Sequence, residues 1–156
     1  MVSRKCFTSM VVAVAMLSVA AAAAQSKKGR DTADQKEFYN YVLTMDKVQK
    51  LGNATKALSA LAARYPDLPS GSSDQTLDEI TQRFQEHPDA MAILNKNGLT
   101  PREWVVGTMT LSKALMAVGL KRSGTYKEYP PDMLKAVSPA NLAFVEKHYD
   151  EVRKGR

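Results

Sequence analysis

Residues 100–120 read TPREWVVGTMTLSKALMAVGL, and this stretch decides what the chain can build. Thr100 offers a hydroxyl to a first-turn backbone N–H, and Pro101 presets the φ angle of the first helical residue. Glu103, three positions after the cap, is placed to return a bond to the Thr100 N–H. A helix therefore starts here. From Trp104 to Leu120 the only charged residue is Lys113, and Trp104, Val105, Val106, Met109, Leu111, Leu115, Met116 and Val118 fall on every side of a 3.6-residue repeat. A helix apolar nearly all round needs neighbours all round, so the segment from Trp104 to Leu120 is expected as the central helix of an all-α domain.

Working outward toward the N-terminus, Phe38, Tyr41, Val42, Met45, Val48 and Leu51 recur at three- and four-residue spacing and predict a first helix over 34–51. Gly52-Asn53 should interrupt it, because glycine costs about 1 kcal/mol in a helix interior relative to alanine. A second helix, 54–65, carries Ala57, Leu58, Leu61 and Tyr65 on one side and stops at Pro66. The run PDLPSGSS at 66–73 has turn chemistry and no hydrophobic period. A third helix from about residue 74 places Leu77, Ile80 and Phe84 together and ends near His87; Pro88 opens a fourth that Gly98 closes.

Toward the C-terminus, a basic connection with two tyrosines (121–129) leads to Pro130-Pro131 and a short helix ending near Val137. Ser138-Pro139 repeats the cap-then-proline device, and the last helix puts Leu142, Val145, Tyr149 and Val152 on one face. No strand pattern or internal repeat of comparable strength is present. The expected architecture is all-α: a single small helical bundle or orthogonal helical array of about five to seven helices over residues 34–156.

The N-terminus has the pattern of an export signal: Arg4 and Lys5, an apolar run from Phe7 to Ala20, then Ala22-Ala23-Ala24 before Gln25. The run is short of the roughly 20 strongly apolar residues of a membrane span. Residues 1–24 are therefore expected to be a cleavable signal peptide, residues 25–33 a flexible basic leader with Lys27, Lys28 and Arg30, and the product secreted or periplasmic, with no transmembrane span after cleavage. Cys6, the one cysteine, lies inside the signal. The processed chain then has no thiol, which excludes disulfides, thiolate metal ligands, haem attachment through C-x-x-C-H and cysteine nucleophiles. The formal charge of +6 is concentrated near the ends, including Arg153, Lys154 and Arg156. With no recognition motif present, it implies solvated termini rather than a nucleic-acid partner.

Few residues offer chemistry. His87 sits at a helix junction, and His148 shares a helix face with Glu151; two such groups fall short of the three or four ligands of a zinc site. Met45 and His148, on the first and last helices, have the ligand types of a haem-binding bundle, although Met45 also lies in the apolar stripe of its own helix. Met91, Met109, Met116 and Met133 fit core packing. Glu103 beside Trp104 is the least poor candidate for the protonated acid of a small carboxylate-dependent cell-wall hydrolase, but its capping position already explains it. No G-x-S-x-G, S-x-x-K or phosphate-binding glycine loop occurs. Lys121, Arg122 and Lys127 with Tyr126 and Tyr129 form the candidate patch for partner binding.

The leading expectation is a non-catalytic, exported binding or interaction module of the bacterial envelope with no cofactor. Its partner would be an envelope protein, an anionic surface or a small apolar ligand held between helices. The alternatives are a periplasmic haem- or metal-binding bundle using Met45 and His148, and the hydrolase.

Overall fold

The structure is a computed structural model that describes residues 32–61, 64–65 and 76–154. The expected signal peptide, the leader up to residue 31 and the loop at 66–73 lie outside the described residues. Among the described residues there are seven helices and no strand: α1 (32–40), α2 (Met45–Leu61), α3 (Leu77–Gln85), α4 (Pro88–Lys96), α5 (Pro101–Arg122), α6 (Pro131–Ala136) and α7 (Pro139–Lys154). None of these is long and apolar enough to cross a membrane.

The helix starts follow local chemistry. Thr100 caps α5, its hydroxyl accepting from the Glu103 N–H at 3.1 Å. The reciprocal capping box forms instead at Thr76 and Glu79, where the hydroxyl accepts from the Glu79 N–H at 3.3 Å and the carboxylate accepts from the Thr76 N–H at 2.8 Å. Gly98, at φ 67°, ends the turn after α4 in the left-handed region that favours glycine.

The N-terminal third departs from expectation. Two helices replace the single one over 34–51: the break falls at 41–44, and α2 runs through Gly52-Asn53 uninterrupted. Thr32 and Ala33, assigned to the leader on sequence, are already helical. The cause of the break is long range. Buried Asn141 on α7 accepts from the Leu43 N–H at 2.9 Å and donates to the Tyr41 carbonyl at 2.6 Å, while buried Thr110 on α5 donates to the Phe38 carbonyl at 3.1 Å. These side chains satisfy backbone groups that the break frees. Thr44 then caps α2, accepting from the Lys47 N–H at 3.3 Å.

Helix α5 is the spine. Its first half, with Val105 and Val106, packs with Leu51, Ala54 and Leu58 of α2, Leu77, Ile80 and Phe84 of α3, and Leu94 of α4. Its second half, with Leu111, Ala114, Ala117 and Val118, packs with Val137 and with Leu142, Val145 and Val152 of α7. Each fully buried Val, Leu, Ile or Phe among them contributes about 1.5–3 kcal/mol by leaving water, and each alanine less. The expected burial on all sides is not met: Ser112 is exposed, and Met116, expected in the core, is 58% exposed. Met91, Met109 and Met133 do pack against the core, each partly buried.

Candidate functional site

Helices α2 and α5 run antiparallel where they meet, with Trp104 opposite Thr55, Gly107 opposite Leu51, and Leu111 and Val48 in one apolar cluster. Gly107 permits the close approach: a Cβ there would lie 2.8 Å from Leu51 Cδ1 and 2.9 Å from the Tyr41 hydroxyl. Beside this contact, residues of the two helices line a cleft of about 530 Å3. That volume lies within the roughly 300–1,000 Å3 of small-molecule sites.

The cleft changes character along its length. Val48, Leu51 and Leu111 make one end apolar; Thr55, Lys56, Ser59 and Thr108 line the other. The hydroxyls there serve the helices. Ser59 donates to the Thr55 carbonyl at 2.8 Å, Thr108 donates to the Trp104 carbonyl, and Thr55 accepts from Trp104 Nε1 at 3.2 Å. Lys56 is exposed and has no carboxylate partner among the described residues, whereas Lys50, Lys121 and Lys135 are paired with Asp46, Glu146 and Asp132. Trp104, the chain's one tryptophan, stacks edge-on to Phe84 at 5.1 Å and borders the polar end through Thr55.

A second, more open cleft of about 460 Å3 is lined by Lys36, Glu37, Asn40, Tyr41, Thr100, Arg102, Glu103 and Val106. Arg102 grips Glu37 at 2.7 Å and Asp78 at 2.5 Å, with Asp34 at 3.9 Å, tying α1 and α3 to α5. The Glu37 bonds raise its pKa further, against a desolvation that works the other way. Burial, with a smaller contribution from the nearby Glu103 charge, pushes the Tyr41 phenol up to about 12. The Tyr41 hydroxyl is buried and lacks a hydrogen-bond partner among the described residues. A third pocket, about 240 Å3, holds Gln35, Phe38, Lys113, Asp132, Lys135 and Ala136. Burial lowers the pKa of the Lys113 amine, which lies 4.5 Å from the centre of the Phe38 ring.

The residues singled out on sequence are placed as follows. Met45 is partly buried against the aliphatic cluster of α5 and α7. His148 has its Nδ1 3.4 Å from Glu151 Oε2 and its ring 5.1 Å from Phe144, where α7 is kinked with φ −113° and ψ 21°. Neither lines any of the three clefts. Among the described residues no group of three or more His, Cys, Asp or Glu is arranged to hold a metal ion. Glu103 lines the Tyr41 cleft together with Glu37, the carboxylate that Arg102 holds.

The basic patch divides. Lys121 Nζ and the Tyr129 hydroxyl both donate to Glu146 Oε1, at 2.7 and 2.6 Å, and Lys121 also covers the Tyr129 ring at 4.5 Å. Arg122 sits 3.6 Å from Asp150 and over the Tyr149 ring. Those two cations therefore fasten α5 to α7, while Tyr126 and Lys127 stay exposed. Bonds from Lys121 first, then Tyr129, hold the Glu146 carboxyl below its ordinary value.

The α2–α5 cleft did not emerge from the sequence. One signal for it was present: glycine at 107 in the middle of a long apolar helix marks a close backbone approach, and the cleft opens beside that approach. The chain matches no protein-family model, and comparison with curated proteins and with solved structures finds none similar to it.

Proposed function

We propose that this protein is an exported, non-catalytic binding module that takes a small, largely apolar molecule into the cleft between α2 and α5. The observation that carries the reading is the cleft itself, whose apolar base is formed by the nearly fully buried side chains of Val48, Leu51 and Leu111 beneath the more exposed Thr55, Lys56 and Ser59. Ligand sites combine an apolar lining with a few polar groups that orient the guest, and this lining has that composition. Export rests on the signal pattern of residues 1–24. The basic residues proposed for partner binding now favour an internal role, because Lys121 and Arg122 already face Glu146 and Asp150.

Trp104 provides the test, since its indole N–H is bonded to a residue lining the cleft. Titration with decanol should give a saturable change in tryptophan emission. Ser59→Phe, at an exposed position on the rim, should abolish it by filling the space while leaving the far-UV circular dichroism unchanged. Absence of a saturable change, or one that Ser59→Phe leaves intact, would remove the cleft from consideration.

A further inference from the structure

Resting on the reading of the cleft as a ligand site, we infer that its guest is a straight-chain, monoanionic amphiphile whose charged head lies at Lys56. The argument is one of complementarity along an axis. From Val48 to Ser59 the α2 wall spans about 16 Å at the helical rise of 1.5 Å per residue. Over that length the lining passes from Val48 and Leu51 to Thr55, Lys56 and Ser59. The antiparallel α5 wall matches it, Leu111 facing the apolar end and Thr108 the polar one.

An alkyl tail on the apolar floor leaves water at no electrostatic cost, and its head then falls among the polar residues. The Ser59 and Thr108 hydroxyl protons are already given to backbone carbonyls, so they do little for an anion. Lys56 is the one charged residue of the lining, with three N–H donors and no carboxylate partner among the described residues. Among the described residues no acidic side chain lines this cleft to oppose an anion or to attract a cation. The amine also lies on a flexible four-carbon stem that can follow heads at slightly different depths, which suits a point-charge contact better than a fixed bidentate one.

The experiment compares decanoate, decanol and decyltrimethylammonium, all below micelle-forming concentrations, by Trp104 emission and by calorimetry on the same protein and on Lys56→Gln and Lys56→Glu. Decanoate should bind about threefold to tenfold more tightly than decanol, the range expected of a partly solvated charge-assisted contact. Lys56→Gln should erase that preference, and Lys56→Glu should transfer it to the ammonium compound. If decanoate and decanol bind the wild type equally, or the preference survives Lys56→Gln, the assignment of the head to Lys56 is wrong while the cleft remains a ligand site. If none of the three binds saturably, both readings fall together.

Discussion

The two glycines inside α5 should respond oppositely to the same substitution. Replacing either with alanine gains about 1 kcal/mol of helix propensity, so packing decides the sign. At Gly107 the new methyl would meet Leu51 Cδ1 at 2.8 Å, the Tyr41 hydroxyl at 2.9 Å and Leu51 Cδ2 at 3.0 Å. Leu51 is 1% exposed and wedged among core neighbours, so it cannot turn away, and α2 must move instead. Because α2 itself must shift, the cost falls in the upper half of the about 1–3 kcal/mol typical of overpacking, about 2–3 kcal/mol, leaving Gly107→Ala less stable by about 1–2 kcal/mol after the propensity gain. At Gly119 the nearest atom is the Tyr149 hydroxyl at 3.0 Å, with the ring carbon behind it at 3.9 Å. Tyr149 is only partly buried and its tip can swing outward, so Gly119→Ala should be neutral or gain up to about 1 kcal/mol. Urea unfolding followed by circular dichroism separates the pair, with an expected gap of about 2 kcal/mol at equal m-values. A Gly107→Ala protein as stable as the wild type, or a Gly119→Ala protein that loses as much as Gly107→Ala, would refute the claim that α2 and α5 are in backbone-limited contact at the head of the cleft. Because that contact frames the site, Gly107→Ala should also weaken decanol binding and Gly119→Ala should not.

Three further outcomes follow from buried polar groups. Asn141→Ala leaves the Leu43 N–H and the Tyr41 carbonyl without their partner and should cost about 2–4 kcal/mol in urea unfolding. Tyr41→Phe removes a buried hydroxyl that has no partner among the described residues, so it should be neutral or stabilising by up to about 2 kcal/mol. It should also flatten the alkaline limb of the stability curve. With the folded phenol raised to about 12 and an unfolded value of 10.0, the wild-type contribution is complete below pH 10 and is lost as pH rises through 12. Lys113 has the opposite slope: its folded pKa is lowered by burial, so the unfolded chain holds more protons between the folded value and 10.5, and stability rises with pH across that window. With Asp132 and Lys135 as the other charged groups of its pocket, Lys113→Met should be favoured over the wild type most at neutral pH, and thermal melts should show the difference shrinking as pH approaches 10.5.

The parts of the fold that the sequence announced are those whose causes are local. Thr100-Pro101 and Ser138-Pro139 start α5 and α7 because a hydroxyl cap and a preset φ act within one turn, and Gly98 ends the connection after α4 for an equally local reason. The break at 41–44 was hidden because its residues, Tyr-Val-Leu-Thr, disfavour a helix only mildly, and Thr44, which caps α2, reads equally well as an interior position. The groups that stabilise the break, Asn141 and Thr110, lie 98 and 72 residues away along the chain from Leu43 and Phe38. Glycine at 52 misled in the complementary way: a local cost of about 1 kcal/mol is smaller than what α2 gains by burying Val48, Leu51, Ala54 and Leu58 on one continuous face.

The site was hidden for a related reason. Residue chemistry draws attention to histidines, methionines and clustered charge, yet here Met45 fills space, His148 faces Glu151, and Lys121 and Arg122 neutralise carboxylates on α7. A cleft is a property of two backbones and of what fails to fill the gap between them. On α2 the lining includes glycine at 52 and a serine at 59 whose hydroxyl bonds the Thr55 carbonyl, and on α5 the hydroxyl of Thr108 turns back to its own helix. Small residues are silent in a search for reactive groups, and they are what a tail-binding groove requires. Lys56 becomes meaningful only once those neighbours leave it at the edge of a cleft with an apolar base and with no carboxylate partner among the described residues. The same lysine on a filled helix face would be one more solvated charge, so filling the groove with Ser59→Phe should make Lys56→Gln without effect on decanoate binding. That double-variant result would tie the charge to the cavity more tightly than either substitution alone.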